Sequence, residues 1–571
     1  MFRALFERAV NAVWDGFAEL SETHRELAGI LARDANVGIT SLVQATAFGL
    51  ACIDERLNDD GQAMIRALVA LAMPECLRPR PAMTILALPP ARIKVASAWR
   101  AKFDASSKDA GFPLSFELRS FVTPGPYELT EVCVERPSAT LQTLQLTLAG
   151  RDGAVIGNVL PERVRFFVFI EPANAALEVI HALRIARDPI VFETFDVNGA
   201  RLEQGQLPRS AFSWVRVDTD DEPPLVDAPE GRFRASVLLE DLFAFPEGHS
   251  FFEVRTTSFR SERVARIELT LPFGYVVGHA AAMRNSNVRL FCAPAVNAYH
   301  VPIMPLRAAQ GPDWLLLPAE RPRAEVLHVR TMQAEGQPGP VPLESFEAPE
   351  QPHTLESGRF YYRLSQKIAR DGSRTEMRLS LATRESFRVR APRPVIQGTV
   401  LASDGMLAQT IGVGEIGRTD IGQNISRVAP SRRAVLDRRL PMRMNAFGRM
   451  SAHRFAHQAH LDAFVGMHKD CVPDGAVRAP RFLAMTHQLE RRGLSGGGSQ
   501  QVDHFDVQID KTACSDAEAF VVCHHVSRAV AERNDLMRAS RLTASCQKGR
   551  REEIFAEYDA RDGERLSFPL G

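Results

Sequence analysis

No helix can run through Leu77-Arg78-Pro79-Arg80-Pro81, because each proline removes a backbone donor and fixes φ at about −65°. That stop forces a change of structure between the residues before it and those after it. Before it, Leu42, Val43, Phe48, Leu50, Ile53 and Leu57 recur at spacings that gather on one helix face, with Asp54, Glu55 and Arg56 interrupting the stripe. Asn58, Asp59, Asp60 and Gly61 break that helix, and Met64, Ile65, Leu68, Val69 and Leu71 begin a second apolar face that runs to Pro74. The spacing predicts a helical hairpin. After the prolines, Met83-Thr84-Ile85-Leu86-Ala87-Leu88 reads as a buried strand. Upstream, Leu5, Phe6, Val10, Val13, Trp14, Phe17 and Leu20 predict a helix, with Ser21 and Thr23 as N-caps for a second piece over Glu26 to Leu31. Burying one large side chain contributes about 1.5–3 kcal/mol, so this stripe calls for cover from the hairpin or from another chain.

From Ile93 onward short strands take over. Phe116-Glu117-Leu118-Arg119 alternates, Leu144, Leu146 and Leu148 share a face, and Gly150 to Gly153 is a turn. Val164 to Ile170 is a further strand, followed by a helical run from Ala175 to Ile185. In Leu238-Leu239-Glu240-Asp241-Leu242-Phe243-Ala244-Phe245-Pro246-Glu247 and Phe251-Phe252-Glu253-Val254 the phenylalanines read as core, with Pro246-Glu247-Gly248 as a turn before a strand. Arg266 to Leu271, Phe360 to Leu364 and Met377 to Leu381 continue the series, and Gln333 to Pro352 reads as a surface loop. Beyond Ala391 the composition shifts. Gly493 to Ser499 is a flexible linker or a hairpin tip, Phe505 to Asp510 a strand, and Ala519 to Met537 a long helix. The fold class is α+β and multi-domain: an N-terminal helical region over 1–90, strand-rich middle domains over 91–275 and 276–395, and an α/β C-terminal domain over 396–571.

Several of these runs, in this order, resemble the TssF family of type VI secretion baseplate proteins, also called ImpG or VasA. Arg56 to Asp60 and Leu77 to Met83 are similar to the family's "KLDDE" turn and "LRPxPSM" exit. Leu144 to Leu148, Arg165-Phe166-Phe167 and the helix after them resemble its "LRLxL, RFFL, LYELL" succession. Leu238 to Phe252 resembles its "LLxEYFAFPEKFxFF" signature, with Asp241-Leu242 where Glu-Tyr is usual. Val288 to Asn297 is similar to "LxCTPVVNLF", Trp314 to Val329 to "YxLVPD…YEVYSV", Phe360 to Leu364 to "YYxxxR", and Ala382-Thr383-Arg384-Glu385 falls where relatives carry "CTNRDLP". The closing strand and helix resemble the family's end, although His524-His525 interrupts and Glu532 to Asp535 departs from its aromatic finish.

The resemblance implies a structural wedge subunit and not an enzyme. It implies two TssF copies gripping one TssG, wedges around the VgrG spike hub, TssE and the sheath above, and TssK toward the membrane complex. The chain would then meet a second copy of itself in unlike surroundings, to which Gln333 to Pro352 and Gly493 to Ser499 would adapt. Alternatives are a wedge of another contractile tail machine or a zinc-dependent hydrolase.

Composition sets bounds on the rest. The 571 residues are 45% apolar, as a globular protein with real cores requires. Lys plus Arg and Asp plus Glu are 69 each, so no global charge draws the chain to nucleic acid or an anionic membrane, and weak repulsion predicts poor solubility of the lone chain near neutral pH. The eight cysteines are scattered without a CxxC pair, which fits a reduced compartment. No signal-like start and no apolar run of about 20 residues appears, so the chain is expected in the cytoplasm, docked at the inner membrane by other components and not inserted itself.

Candidate chemistry is sparse. Gly412-Val413-Gly414-Glu415-Ile416-Gly417 satisfies GxGxxG, with Asp437 at about the acidic spacing of a dinucleotide site, but Arg418 to Asn424 carries another Gly and no apolar stripe for the helix such a site needs. His453, His457 and His460 stand at i, i+4, i+7 and would present imidazoles to zinc from one helix face, without the HExxH glutamate; a solvated or core-edge helix is the simpler account. Cys514, Cys523 and His524 are irregularly spaced for a metal. Arg432, Arg433, Arg438, Arg439, Arg443, Arg449 and Arg454 form a basic stretch nearly free of stacking aromatics, so it is read as facing an acidic protein partner or solvent. No catalytic, cofactor-binding or metal residue is assigned.

Overall fold

Met83–Ala87, buried on both faces, is an inner strand of a six-stranded sheet. It pairs antiparallel with Cys292–Val296 on one side and Gly422–Asn424 on the other, so segments more than three hundred residues apart share one ladder (Leu86 opposite Asn424). Lys102–Ser106, Pro113–Leu118 and Gly417–Arg418 complete it. The computed structural model describes residues 2–25, 40–41, 43–53, 79–91, 101–106, 112–219, 222–226, 234–257, 262–307, 314–321, 323–335, 341–345, 361–369, 374–382, 395–418, 422–429, 458–470, 477–493, 499–532, 538–548 and 551–562. The chain divides into two compact units, Met1–Leu77 with Leu436–Met444, and Arg78–Val435 with Asn445–Gly571.

In the first unit Phe2–Thr23 is one helix. The hydroxyls of Ser21 and Thr23 donate back to the carbonyls of Ala18 (2.7 Å) and Glu19 (3.0 Å), so they sit in its last turn; the second piece expected over Glu26 to Leu31 lies outside the described residues. Residues 43–53 are helical as the spacing predicts, but the buried face is Val43, Ala47 and Ala51, while Phe48 (55%), Leu50 (43%) and Ile53 (57%) are exposed. The apolar pattern marked the helix and missed the covered face, because small alanines are what close packing selects there. Leu57 and the rest of the hairpin lie outside the described residues.

The second unit is built of sheets. Val288–Arg289, Arg163–Val168, Phe251–Arg255 and Phe212–Trp214 form one of four strands; Tyr127–Glu135, Thr143–Gly150, Arg266–Pro272, Ile190–Phe195 and Arg201–Leu207 form one of five. Two further sheets, one centred on Val395–Ser403 and Glu325–Ala334 and one on Tyr361–Ile368 and Thr375–Ala382, share a core of Val326, Val329, Leu379, Ile396 and Val400. The Gln333 to Pro352 segment is thus only partly loop. Gln333 and Ala334 stay in a strand and pair with Pro342 and Val341, and Glu344–Ser345 joins Tyr361–Ile368 in parallel.

The chain closes in a mixed sheet, in the order Arg481–Gly493, Ser499–Asp510, Arg538–Lys548, Arg551–Asp562. The first pair is antiparallel, with Gly493 opposite Ser499, so the glycine-rich segment joins the arms of a hairpin. Ser499–Asp510 and Arg538–Lys548 are parallel and joined through the helix Asp516–Glu532, a βαβ unit. That helix begins earlier than its apolar run. Ser515 Oγ accepts from the Glu518 amide (3.3 Å) and Glu518 Oε2 accepts from the Ser515 amide (2.7 Å), a capping box at Ser515-Asp516-Ala517-Glu518. Residues 533–537 lie outside the described residues. Among the described residues no helix is long and apolar enough to cross a membrane.

Candidate functional site

Two motifs far apart in sequence lie side by side. Phe251 faces Phe167, Phe252 faces Phe166 and Glu253 faces Arg165 across antiparallel strands. The rings stack, Phe166 on Phe252 at 5.0 Å and Phe212 on Phe252 at 5.4 Å, and the next pair tilts together at 4.8 Å. Arg165 then completes an ion cluster, with its Nε 2.9 Å from Glu253 Oε1 and its Nη2 2.6 Å from Glu222 Oε1, while Ser120 donates to Glu222 Oε2 at 2.8 Å. Burial works against the Arg165 charge, but Glu222 and Glu253 outweigh it and hold its pKa above the usual arginine value.

The signature helix, Arg234–Ala244, is buried from Ala235 to Phe243 and packs against the helices Asp516–Glu532 and Gln458–Asp470. Its apolar residues fill the core. Its two acids turn inward as well, which a solvated helix would never allow. Glu240 pairs with Arg80, and Asp241 Oδ2 accepts the Leu225 amide at 2.8 Å and lies 3.7 Å from the Arg216 guanidinium. Arg216 is 1% exposed and left-handed (φ 70°), and burial pushes its pKa down. The helix start is capped from a distant part of the chain: both carboxylate oxygens of Glu532, the last residue of Asp516–Glu532, accept the Ala235 amide at 2.9 Å. A carboxylate there also meets the positive end of the helix dipole.

Between these helices lies a group of neutral histidines. His249 and His525 are fully buried, with rings 5.4 Å apart, and their ring nitrogens have no hydrogen-bond partner among the described residues. Burial, then the neighbouring His525 and Arg216, holds His249 well below the ordinary range; burial, His524 and Arg216 do the same to His525. Burial pushes His524 down to about 3 and His181 to about 4. His181 Nδ1 sits 3.1 Å from the Tyr275 hydroxyl, and Trp214 Nε1 donates to the His249 carbonyl at 2.7 Å.

A second pin holds the six-stranded sheet to Val395–Ser403. Asn297, fully buried at the end of its motif, donates to Asp404 Oδ2 (2.9 Å) and to the Ser115 carbonyl (2.9 Å), and accepts from the Asp404 amide (2.8 Å). Tyr299 and Arg321 donate to the same carboxylate, at 2.7 and 3.0–3.1 Å. Neither Asp404 nor Arg321 belongs to a local pattern that sequence reasoning could have used.

Among the described residues, those singled out for chemistry do not gather into one site, although Cys514 lies close enough to Cys523 to act on its thiol. Gly412 to Gly417 leads into a hairpin, Gly417–Arg418 against Gly422–Asn424, with no helix opening there. Gly414 (φ 81°) and Gly417 (φ 76°) are needed for the turn, and a Cβ on Gly417 would collide with the Gly422 carbonyl. His460 lies in the first turn of Gln458–Asp470, and His453, His457, Asp437 and the arginines from Arg432 to Arg454 lie outside the described residues. Cys523 and His524 are buried in Asp516–Glu532, and Cys514 precedes it. Burial raises the Cys514 thiol to about 12 and Cys523 further, so both are protonated at neutral pH and poor nucleophiles. Among the described residues no group of three metal-ligating side chains is close enough to hold an ion.

What the site performs is cohesion: the polar residues of its motifs join strands and helices of one chain. The fold is similar to two solved structures. One is a chain of the TssK-TssF-TssG baseplate subcomplex of the type VI secretion system, with TM-score 0.67 and 14% identity over 92% of this chain and 99% of that one. The other is a chain of the baseplate complex from the type VI secretion system, with TM-score 0.60 and 15% identity over 99% and 100%. No curated protein matches the sequence. The family model described as type VI secretion system, TssF, matches residues 2–476, which include both phenylalanine motifs, the signature helix and the Asn297–Asp404 pin. The chain therefore belongs to the TssF family of the type VI secretion system.

Proposed function

We propose that this chain is a wedge subunit of a type VI secretion baseplate, a scaffold that acts by binding and not by catalysis. The observation that carries this reading is the family match over 2–476. Both solved structures of similar fold come from baseplate assemblies, and one contains TssK and TssG beside TssF. In this reading two copies grip one TssG-type partner, and the wedges surround the VgrG-type spike. TssE and the sheath join above and TssK joins toward the inner membrane, where the assembly docks from the cytoplasm. Physical support comes from the division of the surface. The described polar motif residues are largely engaged inside the chain, whereas Leu50 and Ile53 stay exposed on the helix over 43–53. Covering such side chains contributes about 1.5–3 kcal/mol each.

Co-expression with the neighbouring TssG-like protein, followed by light scattering of the purified complex, tests the reading. The expected mass is that of two copies of this chain with one partner. A monomer that ignores the partner overturns it.

A further inference from the structure

The C-terminal sheet ends in two unlike edges. Arg481–Gly493 pairs only with Ser499–Asp510, and Arg551–Asp562 only with Arg538–Lys548; among the described residues no strand lies beyond either. The start of the first edge is engaged, since the Phe482 amide donates to Asp462 of the Gln458–Asp470 helix at 3.1 Å, and a bulge falls there between Phe482 and Ala484. From Met485 to Gly493 the register is regular, and from Thr486 on every residue is exposed. This arm stands clear of the body, with about half its residues turning backbone N–H and C=O groups outward. Such an edge is a template for another strand, and proteins normally blunt it with bulges, prolines or brevity. None of these protects Met485–Gly493.

The two edges are complementary in charge and both carry exposed apolar side chains. The first bears Arg491 and Arg492 near its tip, with Leu489 54% exposed; its one acid, Glu490, is held by His504 at 3.0 Å. The second exposes Glu553, Glu557, Asp559 and Asp562 against one half-buried cation, Arg561, with Ile554 61% exposed; Glu557 is met by Arg541 at 3.1 Å and Asp562 accepts from Gln500 at 2.8 Å, which leaves the edge acidic on balance.

We propose that a second copy of this chain docks here, its acidic Glu553–Asp562 edge adding to the basic Met485–Gly493 edge as a continuing strand. The contact is heterologous. In a pair of copies one keeps its basic edge and the other its acidic edge, so identical chains present different surfaces to a third protein. The inference rests on the reading of two copies beside one partner and supplies what makes those copies unlike.

Light scattering of the purified full chain at about 50 mM and about 500 mM salt tests it, since exposed charge pairs are screened at the higher value. The expected result is self-association at low salt that weakens at least tenfold at high salt. Arg491→Glu with Arg492→Glu, and separately Glu557→Arg with Asp559→Arg, are each expected to be monomeric. Mixing the two variants restores association, because one is then acidic and the other basic at both edges. All four positions are exposed, and unchanged thermal unfolding shows that the variants fold. A wild-type chain that is monomeric at low salt, association that neither variant alters, or a mixture that stays monomeric overturns the proposal. Co-expression with the TssG-like protein separates the two readings: variants that still assemble two to one refute the edge contact alone, whereas wild-type chain that forms no complex refutes the wedge reading.

Discussion

The helices Asp516–Glu532 and Phe2–Thr23 make opposite uses of amphipathic sequence. The first is buried at every residue from Ala517 to Glu532, polar ones included, and those polar residues reach other elements: Arg528 donates to the Arg216 carbonyl, Glu518 accepts the Arg478 amide, and Glu532 caps the signature helix. The second has a wide apolar stripe, yet Phe6, Val10, Val13, Trp14 and Phe17 are only half-buried and Leu20 is exposed; Trp14 and Phe17 meet edge-on at 5.9 Å. Buried polar residues with assigned partners specify one internal arrangement, because any other leaves them unpaired. Apolar side chains left half-covered keep exposed surface that a partner can bury. Cohesion within the chain and adhesion between chains are thus carried by different residues.

The sharpest way to break that contrast is to truncate one ring from each side. Phe252→Ala removes a fully buried ring stacked on Phe166 and Phe212 and is expected to cost about 3–5 kcal/mol in urea unfolding of the purified chain, whereas Phe48→Ala is expected to stay within about 0.5 kcal/mol. Equal losses would mean that the Phe48 ring, and not only the face of Val43, Ala47 and Ala51, is packed internally. Next comes Asp241→Ala, which strips the Leu225 amide and the Arg216 guanidinium of a buried acceptor; the expected loss is about 3 kcal/mol.

Acid sharpens the comparison further. His181 is neutral in the fold, with its pKa lowered from 6.5 to about 4, so the unfolded chain takes up the proton first. Its contribution is complete above pH 6.5 and is lost as pH falls from there toward 4, about 3 kcal/mol in all. His249, His524 and His525 act in the same direction. Urea midpoints should fall over that interval, and a midpoint flat between pH 7 and 5 would show that these rings do not stay buried and neutral. Smaller still, Glu532→Ala is expected to cost about 1–2 kcal/mol by uncapping Ala235, read from the same unfolding curves. The smallest effect on the isolated chain, Phe48→Ser with Ile53→Ser, is expected to leave its unfolding midpoint unchanged while lowering recovery of the TssG-like partner in a pull-down.

Local elements were legible because periodicity is local. Ala173–Ile185, Phe251–Arg255 and Arg266–Pro272 match the runs that predict them to within about two residues, the usual uncertainty of element ends. The phenylalanines of the signature were legible as core for the same reason. What sequence could not disclose was partnership at long range. Nothing near Asp241 announces Arg216, nothing near Asn297 announces Asp404, and no local spacing dictates the pairing of Leu86 with Asn424. The capping box at Ser515 is legible as Ser-x-x-Glu, and it places the helix start ahead of the apolar run that begins at Ala519. Over 43–53 the large apolar residues hid the alanine face that packing selects.

The bond from Glu532 to Ala235 joins residues 297 positions apart, and it has a consequence for synthesis. The signature helix leaves the ribosome long before its cap exists. At about 5–20 residues per second, translation must run for roughly 15–60 s more before Glu532 emerges. Until then the helix lacks both its cap and the packing of Asp516–Glu532 against it. A chain cut short before Glu532 lacks that cap, and its signature helix keeps an unpaired Ala235 amide at its start.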